Sequence, residues 1–172
     1  PEPESLGELG KRLQNQDRVI CLIYNRSFMK KCPLDIKHFR RENMYKIVNA
    51  ECLADKIYLM DVEAPRVARA CQPGEFVIVK MDEVGERIPL TICDFDREKG
   101  LVTIVFQIVG ASTMRMAELK AGDYFQDFVG PLGQPSEFVK EDLEEVKKRK
   151  YLFVAGGVGS APVYPQVKWM HE

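Results

Sequence analysis

The stretch Arg87-Ile88-Pro89-Leu90-Thr91-Ile92 decides how the rest of the chain is read. It predicts a strand that opens on a cation and carries a hydroxyl near its middle. Side chains alternate across a strand, so Arg87, Pro89 and Thr91 share one face. An arginine on a strand that is not fully solvated needs an anionic partner. Its guanidinium fork suits a diphosphate. The same residues also fit a plainer description, an exposed arginine at a strand start beside a β-favouring threonine.

Working backward, Val84-Gly85-Glu86 forms a turn into this strand, and residues 75–81 (Glu-Phe-Val-Ile-Val-Lys-Met) are a strong β stretch. Gln72-Pro73-Gly74 has turn composition. A short helix over residues 64–71 starts around Pro65, because proline suits a first helical turn. Residues 45–52 and 56–62 are two more strands, joined by a turn at Ala54-Asp55. Working forward, residues 94–100 form a polar hairpin loop, and residues 101–109 form a strand that includes Val105, Phe106 and Gln107. A helix over residues 112–119 is capped by Ser112 or Thr113, and a further strand covers residues 122–129. About six strands in about 90 residues, each bounded by turn signals, predict an antiparallel barrel or sandwich.

Gly130-Pro131-Leu132-Gly133-Gln134-Pro135 is a rigid, turn-rich stretch and the expected domain boundary. A charged helix over residues 140–150 follows, with Glu144–Lys148 and Glu145–Arg149 as i,i+4 pairs. Tyr151-Leu152-Phe153-Val154-Ala155 is a continuous apolar run of the kind buried on both faces of a parallel sheet. Gly156-Gly157-Val158-Gly159-Ser160-Ala161-Pro162 then turns into a helix over residues 161–170. Strand, glycine turn and helix are the start of a βαβ unit. In that setting glycines let the backbone approach a pyrophosphate, which the helix start attracts. The pattern is neither a complete Gly-x-Gly-x-x-Gly fingerprint nor a P-loop, and a tight structural turn would also explain it.

Residues 1–43 differ from the rest. Val19 to Tyr24 would form one strand, and Lys30, Lys31, Lys37, Arg40 and Arg41 crowd a basic segment ahead of Met44. Arg-Arg-Glu-Asn ahead of a Met can be encoded by a purine-rich ribosome-binding site, so Met44 is the expected natural start and residues 1–43 a translated leader. A linker or a basic docking arm are the other readings. The expected domains are therefore an N-terminal extension (1–43), a barrel (44–135), and a connector helix with the first βα unit of a nucleotide lobe (136–172).

Composition excludes several functions. The 172 residues are 45% hydrophobic and 30% charged with a net charge of −1, which offers no field for nucleic acid. No apolar run approaches the roughly 18 residues that span a bilayer, and the acidic N-terminus does not suit a signal peptide. Cys21, Cys32, Cys52, Cys71 and Cys93 are scattered, with no metal-ligand spacing. Reduced thiols in a cytoplasmic protein are expected. His38 and His171 are the only histidines, and no nucleophile elbow or metalloprotease motif occurs.

Taken together, residues 44–172 resemble the ferredoxin reductase-like flavoprotein superfamily. More narrowly, they resemble its sulfide/dihydroorotate dehydrogenase-like FAD/NAD-binding subunits. Pro73-Gly74-Glu75-Phe76 is similar to a Pro-Gly-Gln-Phe turn and strand, with Glu75 as a departure. Arg87 to Ile92 resembles the flavin strand. Gln107-Ile108-Val109-Gly110-Ala111-Ser112-Thr113 resembles the FAD phosphate loop, with Ser112 where glycine is commoner. Gly130-Pro131-Leu132-Gly133 resembles the linker, and Gly156 to Pro162 the NAD(P) loop. The threonine in Ile-Pro-Leu-Thr-Ile leans toward the small subunits of NADH-dependent reduced ferredoxin:NADP oxidoreductases, because dihydroorotate dehydrogenase electron-transfer subunits tend to carry serine there.

The resemblance implies an FAD-binding antiparallel β-barrel followed by the truncated start of a Rossmann-like NAD(P) lobe. It implies that Arg87, Ile88, Pro89, Leu90, Thr91, Val105, Phe106, Gln107, Ser112, Thr113, Gly156, Gly157, Val158, Gly159 and Pro162 hold FAD and NAD(P)H. It implies a [2Fe-2S] centre on cysteines absent from these residues and therefore further along the family's chain. The expected activity is electron transfer between NAD(P)H, FAD and that centre. The expected partners are a larger flavin and iron–sulfur catalytic subunit, and ferredoxin. A non-catalytic β-barrel binding module is the competing expectation.

Overall fold

A computed structural model describes residues 44–172, so the readings made for residues 1–43 lie outside the described part. The described chain opens with strands β1 (Tyr45–Ala54) and β2 (Ile57–Glu63), and helix α1 (Pro65–Ala70) follows. Strands β3 (Phe76–Lys80), β4 (Ile88–Asp96) and β5 (Leu101–Gln107) come next, then helix α2 (Ala111–Met116). Strands β6 (Tyr124–Phe125) and β7 (Asp127–Leu132) complete the sheet. Its order is β6-β1-β2-β5-β4-β3-β7, and every pairing is antiparallel.

That order explains closure. β6 and β7 occupy the two edges of the sheet, yet only Gln126 separates them in sequence. The chain therefore steps from one edge to the other in a single residue, and the Gln126 N–H donates to Lys80 O at 2.9 Å on β3, the strand beside the β7 edge. A nearly closed barrel results, which leaves little exposed edge for unwanted pairing. The single strand expected over residues 122–129 is in fact these two strands. Alternation alone cannot register a change of partner within a continuous β stretch.

The barrel is filled by alternate residues of each strand. Met60 and Val62 from β2, Val77 and Val79 from β3, and Val102, Ile104 and Phe106 from β5 are all buried. Phe125 and Phe128, on either side of the crossing, pack in the core with tilted rings whose centroids lie 6.3 Å apart. α1 adds Val67 and Ala68, and α2 adds Met116.

Three expectations need correction after residue 129. Gly130, Pro131 and Leu132 are not linker. They belong to β7, where Leu132 pairs with Phe76. A Cβ on Gly130 would sit 2.7 Å from Val77 Cγ1, so this glycine answers to packing against β3.

The charged helix expected over residues 140–150 is shortened to α4 (Leu143–Lys147), and a separate helical turn, α3 (Glu137–Lys140), comes before it. Asp142 interrupts the expected helix by capping α4, accepting from Glu144 N at 2.9 Å. The ion pairs are accordingly i,i+3, Lys147–Glu144 at 3.0 Å and Lys148–Glu145 at 2.6 Å, while Arg149 reaches Glu141 at 2.7 Å.

Residues 151–155 form no strand. Leu152 is 89% exposed and Val154 82%, because no parallel neighbour is present among the described residues to pair with them. Helix α5 (Ser160–His171) forms as expected. Phe138 holds this region together, contacting Trp169 of α5 at 5.3 Å and Tyr151 at 6.1 Å.

Candidate functional site

The site is set by a change of partner along β4. The β4–β5 ladder runs from Asp96↔Leu101 to Ile92↔Ile104. Toward its start, β4 pairs instead with β3, from Thr91↔Phe76 to Ile88↔Val79. The ladder irregularity between Ile92 and Asp94 lies next to this handover, and such irregularities add local twist. The β4–β5 register thus ends before Ile88–Thr91 on one strand and Val105–Gln107 on the other. Those are the two groups of strand residues singled out from the sequence.

Arg87 stands directly ahead of β4 with its side chain 60% exposed. It is not a solitary cation, since Nη2 donates to Asp127 Oδ2 at 3.1 Å. Thr91 is half-buried, and Ile88 and Leu90 pack against the core. Phe106 does the same, stacked on Tyr58 at 5.8 Å. Val105 and Gln107 alternate to the outer face of β5.

The turn after β5 is built by Thr113. This residue is 8% exposed, and its hydroxyl accepts from Val109 N at 2.9 Å and Gly110 N at 3.1 Å while donating to Gly110 O at 3.0 Å. The hydroxyl is therefore committed to shaping the loop. Ser112 projects further out and donates a short hydrogen bond to Glu86 Oε2. Arg115, one turn on, donates to Asp82 Oδ2 at 2.5 Å. Ser112 and Arg115 thus fasten α2 to the loop that leads into Arg87. The Arg115 hydrogen bond, with those of Val84 N–H and Gly85 N–H, holds the Asp82 carboxyl below its ordinary value.

The glycine turn completes the arrangement. Its 3₁₀ segment (Gly157–Gly159) lies beside β5, and α5 packs on β4. Lys168 of α5 donates to Asp94 Oδ1 at 2.8 Å, which pins the helix to the barrel. A Cβ built on Gly110, Gly156 or Gly159 would meet nothing within 4 Å, unlike one on Gly130. Packing does not demand these three glycines. Gly157 has φ +55°, which a side chain would strain. Val158 and Pro162 are half-buried behind the turn.

Glu86, Asp127, Asp82 and Arg115 were not legible as site residues. Their contacts span 26, 40 and 33 positions, and no local pattern connects residues so far apart. Among the described residues, no group of three or more Cys, His, Asp or Glu side chains could hold a metal ion. No helix among them is long and apolar enough to cross a membrane.

A nearly closed antiparallel barrel with a helix after β5 and a glycine turn against its open seam is the ferredoxin reductase-like architecture, and the chain shares that fold. It is 64% identical over 129 residues to an uncharacterized protein of the adh 3' region of Clostridium beijerinckii, covering 75% of this chain and 44% of that one. It is 39% identical over 127 residues to a dihydroorotate dehydrogenase B (NAD(+)) electron transfer subunit homolog of Thermotoga maritima, covering 74% and 43%. Among solved structures, an NADH-dependent reduced ferredoxin-NADP oxidoreductase is similar at 39% identity and a TM-score of 0.54, covering 55% of this chain and 34% of that one. Phthalate dioxygenase reductase, at 16% identity and a TM-score of 0.52 over 75% of this chain and 40% of that one, shares the fold. No family model matches. The chain spans less than half the length of either curated relative.

Proposed function

We propose that this chain is the flavin-binding portion of an electron-transfer subunit that passes electrons from NAD(P)H through FAD toward a partner subunit. The observation that carries the reading is the opening between β4 and β5. Its two walls are the Arg87–Thr91 and Val105–Gln107 segments, and the glycine turn lies against it. Strand ends that leave a ladder carry backbone N–H and C=O groups that need other partners, and the polar edge of a flavin ring supplies them.

The residues fit FAD in chemistry as well as in place. Arg87 would neutralise the diphosphate through its guanidinium. The Thr91 hydroxyl would bond the ring edge. Ser112 and the loop shaped by Thr113 would seat phosphate, and the turn of Gly156, Gly157, Val158 and Gly159 ahead of Pro162 would receive the nicotinamide dinucleotide. FAD, when bound, supplies acceptance of a hydride and release of single electrons. The protein's part is to hold the ring at the seam and to keep its diphosphate paired.

The onward route, through a [2Fe-2S] centre to a larger catalytic subunit or ferredoxin in the cytoplasm, belongs to this proposal and extends past the described residues. Names of relatives such as the Thermotoga maritima protein favour a second reading, in which the partner is a dihydroorotate dehydrogenase.

Titration of the full chain into FAD, followed by flavin fluorescence, tests the core of the reading. Quenching that saturates at one flavin per chain is expected. Fluorescence that stays at the free-flavin level at every protein concentration sinks it and leaves the non-catalytic barrel.

A further inference from the structure

We propose that the cleft between the start of β1 and helix α1 is a docking site for an acidic segment of a protein partner. The cleft has a volume of about 640 Å³, and Lys46, Arg66 and Arg69 line it together with Tyr45, Tyr124 and a single carboxylate, Glu63. Val67 and Ala68 anchor α1 in the core, which turns Arg66 and Arg69, three residues apart, outward on one helix face. Lys46 joins them from β1, where it pairs with Tyr124. All three cations are exposed, and none has a carboxylate within ion-pair distance among the described residues. The other arginines of the barrel are engaged. Arg87 pairs with Asp127, Arg115 with Asp82, and Arg97 bonds Cys71 O.

The form of the cleft selects the occupant. A small anion needs buried, fixed donors, whereas these cations are long, exposed and screened by salt one at a time. A chain of carboxylates engages all three together, and charge complementarity of that kind steers protein association. Tyr45 does not favour a nucleotide. The Tyr45 ring is already packed on Phe128 at 5.7 Å and is not free to stack on a base.

The cleft also lies away from the proposed flavin seam. Along the β2–β5 ladder, Ile57↔Gln107 marks the seam end and Glu63↔Leu101 the cleft end. That separation is roughly 20 Å at the usual rise per residue. Docking here would place a partner without covering the seam, and the proposal does not depend on the flavin reading.

Fluorescence anisotropy of a labelled decaglutamate peptide, titrated with the full 172-residue chain, tests it. Binding at low salt is expected to weaken at an ionic strength of about 0.15 M. It should fall by about tenfold or more in Arg66→Glu/Arg69→Glu, and hold in Lys150→Glu, a charge reversal elsewhere. Circular dichroism checks the folding of each variant, and Arg66→Gln/Arg69→Gln replaces the reversal if that chain does not fold. No peptide binding, or equal loss in Lys150→Glu, overturns the proposal. Inorganic pyrophosphate that displaces the peptide at equal or lower concentration also overturns it, in favour of a small-anion site.

Discussion

The Nη2 of Arg87 donates to Asp127 Oδ2 at 3.1 Å, tying the residue ahead of β4 to the first residue of β7. The pair is largely exposed, so it is worth at most about 1 kcal/mol. A diphosphate carries more charge than one carboxylate and would take the guanidinium over. Arg87→Ala is expected to weaken FAD binding by about 10- to 100-fold, the equivalent of one charge-assisted interaction. Asp127→Asn, which removes the competitor, should bind FAD at least as tightly as the parent. Isothermal titration of both variants decides the matter, and unchanged affinity in Arg87→Ala removes the anchor role.

Glu86 places a second carboxylate against a proposed phosphate seat through its short bond from Ser112. A negative charge there opposes a phosphate. Glu86→Gln is therefore expected to raise FAD affinity by a few-fold, near the size of one screened charge contact. Weaker binding would instead make Glu86 a ligand contact.

Thr113 shapes the loop of the proposed phosphate seat. Thr113→Val keeps the shape and removes the oxygen that satisfies Val109 N–H and Gly110 N–H. Losing these partly buried hydrogen bonds should cost about 1 kcal/mol, read by urea denaturation. Thr113→Ser, which keeps the oxygen, should recover most of that loss.

The Asp82–Arg115 contact makes an acid-side prediction. The folded carboxyl lies below its ordinary value of 3.8. Its contribution is therefore present above that value and is lost as pH falls through the lower folded one. Asp82→Asn should melt below the parent at neutral pH, and the difference should close as pH drops below 3.8. A constant difference across that range would show that Arg115 does not discriminate the charged form.

Cysteine reactivity should divide by burial. Desolvation pushes the Cys71 thiol to about 12 and the Cys93 thiol to about 11, whereas Cys52 is exposed. The thiolate is the nucleophile. Iodoacetamide at mildly alkaline pH should label Cys52 in the native chain and reach Cys71 and Cys93 only after denaturation, as peptide mapping by mass spectrometry would show. Native labelling of Cys71 would contradict its packing.

Most of the barrel was legible because its strands alternate strongly and its turns carry Gly, Pro and Asp. Residues 45–52 and 75–81 came through nearly intact as β1 and β3. Helix α5 was legible from the glycine turn ahead of it. The run at residues 151–155 misled for a physical reason. A continuous apolar stretch records a preference for burial between neighbours, and only neighbours turn that preference into a strand. The residues 140–150 misled in another way, because Asp142 favours a cap over continuation.

By itself the sequence determined which segments could be strands, which faces they would bury, and where glycines would let backbone lie open. Those properties are local, set by side-chain volume and backbone freedom. Tertiary structure alone decided that β6 and β7 part to opposite edges and that β4 passes from β3 to β5 at Ile92. It alone brought Asp127, Glu86 and Asp82 to Arg87, Ser112 and Arg115. Such contacts depend on which strand lies beside which, and that choice is made by closing the barrel around one core.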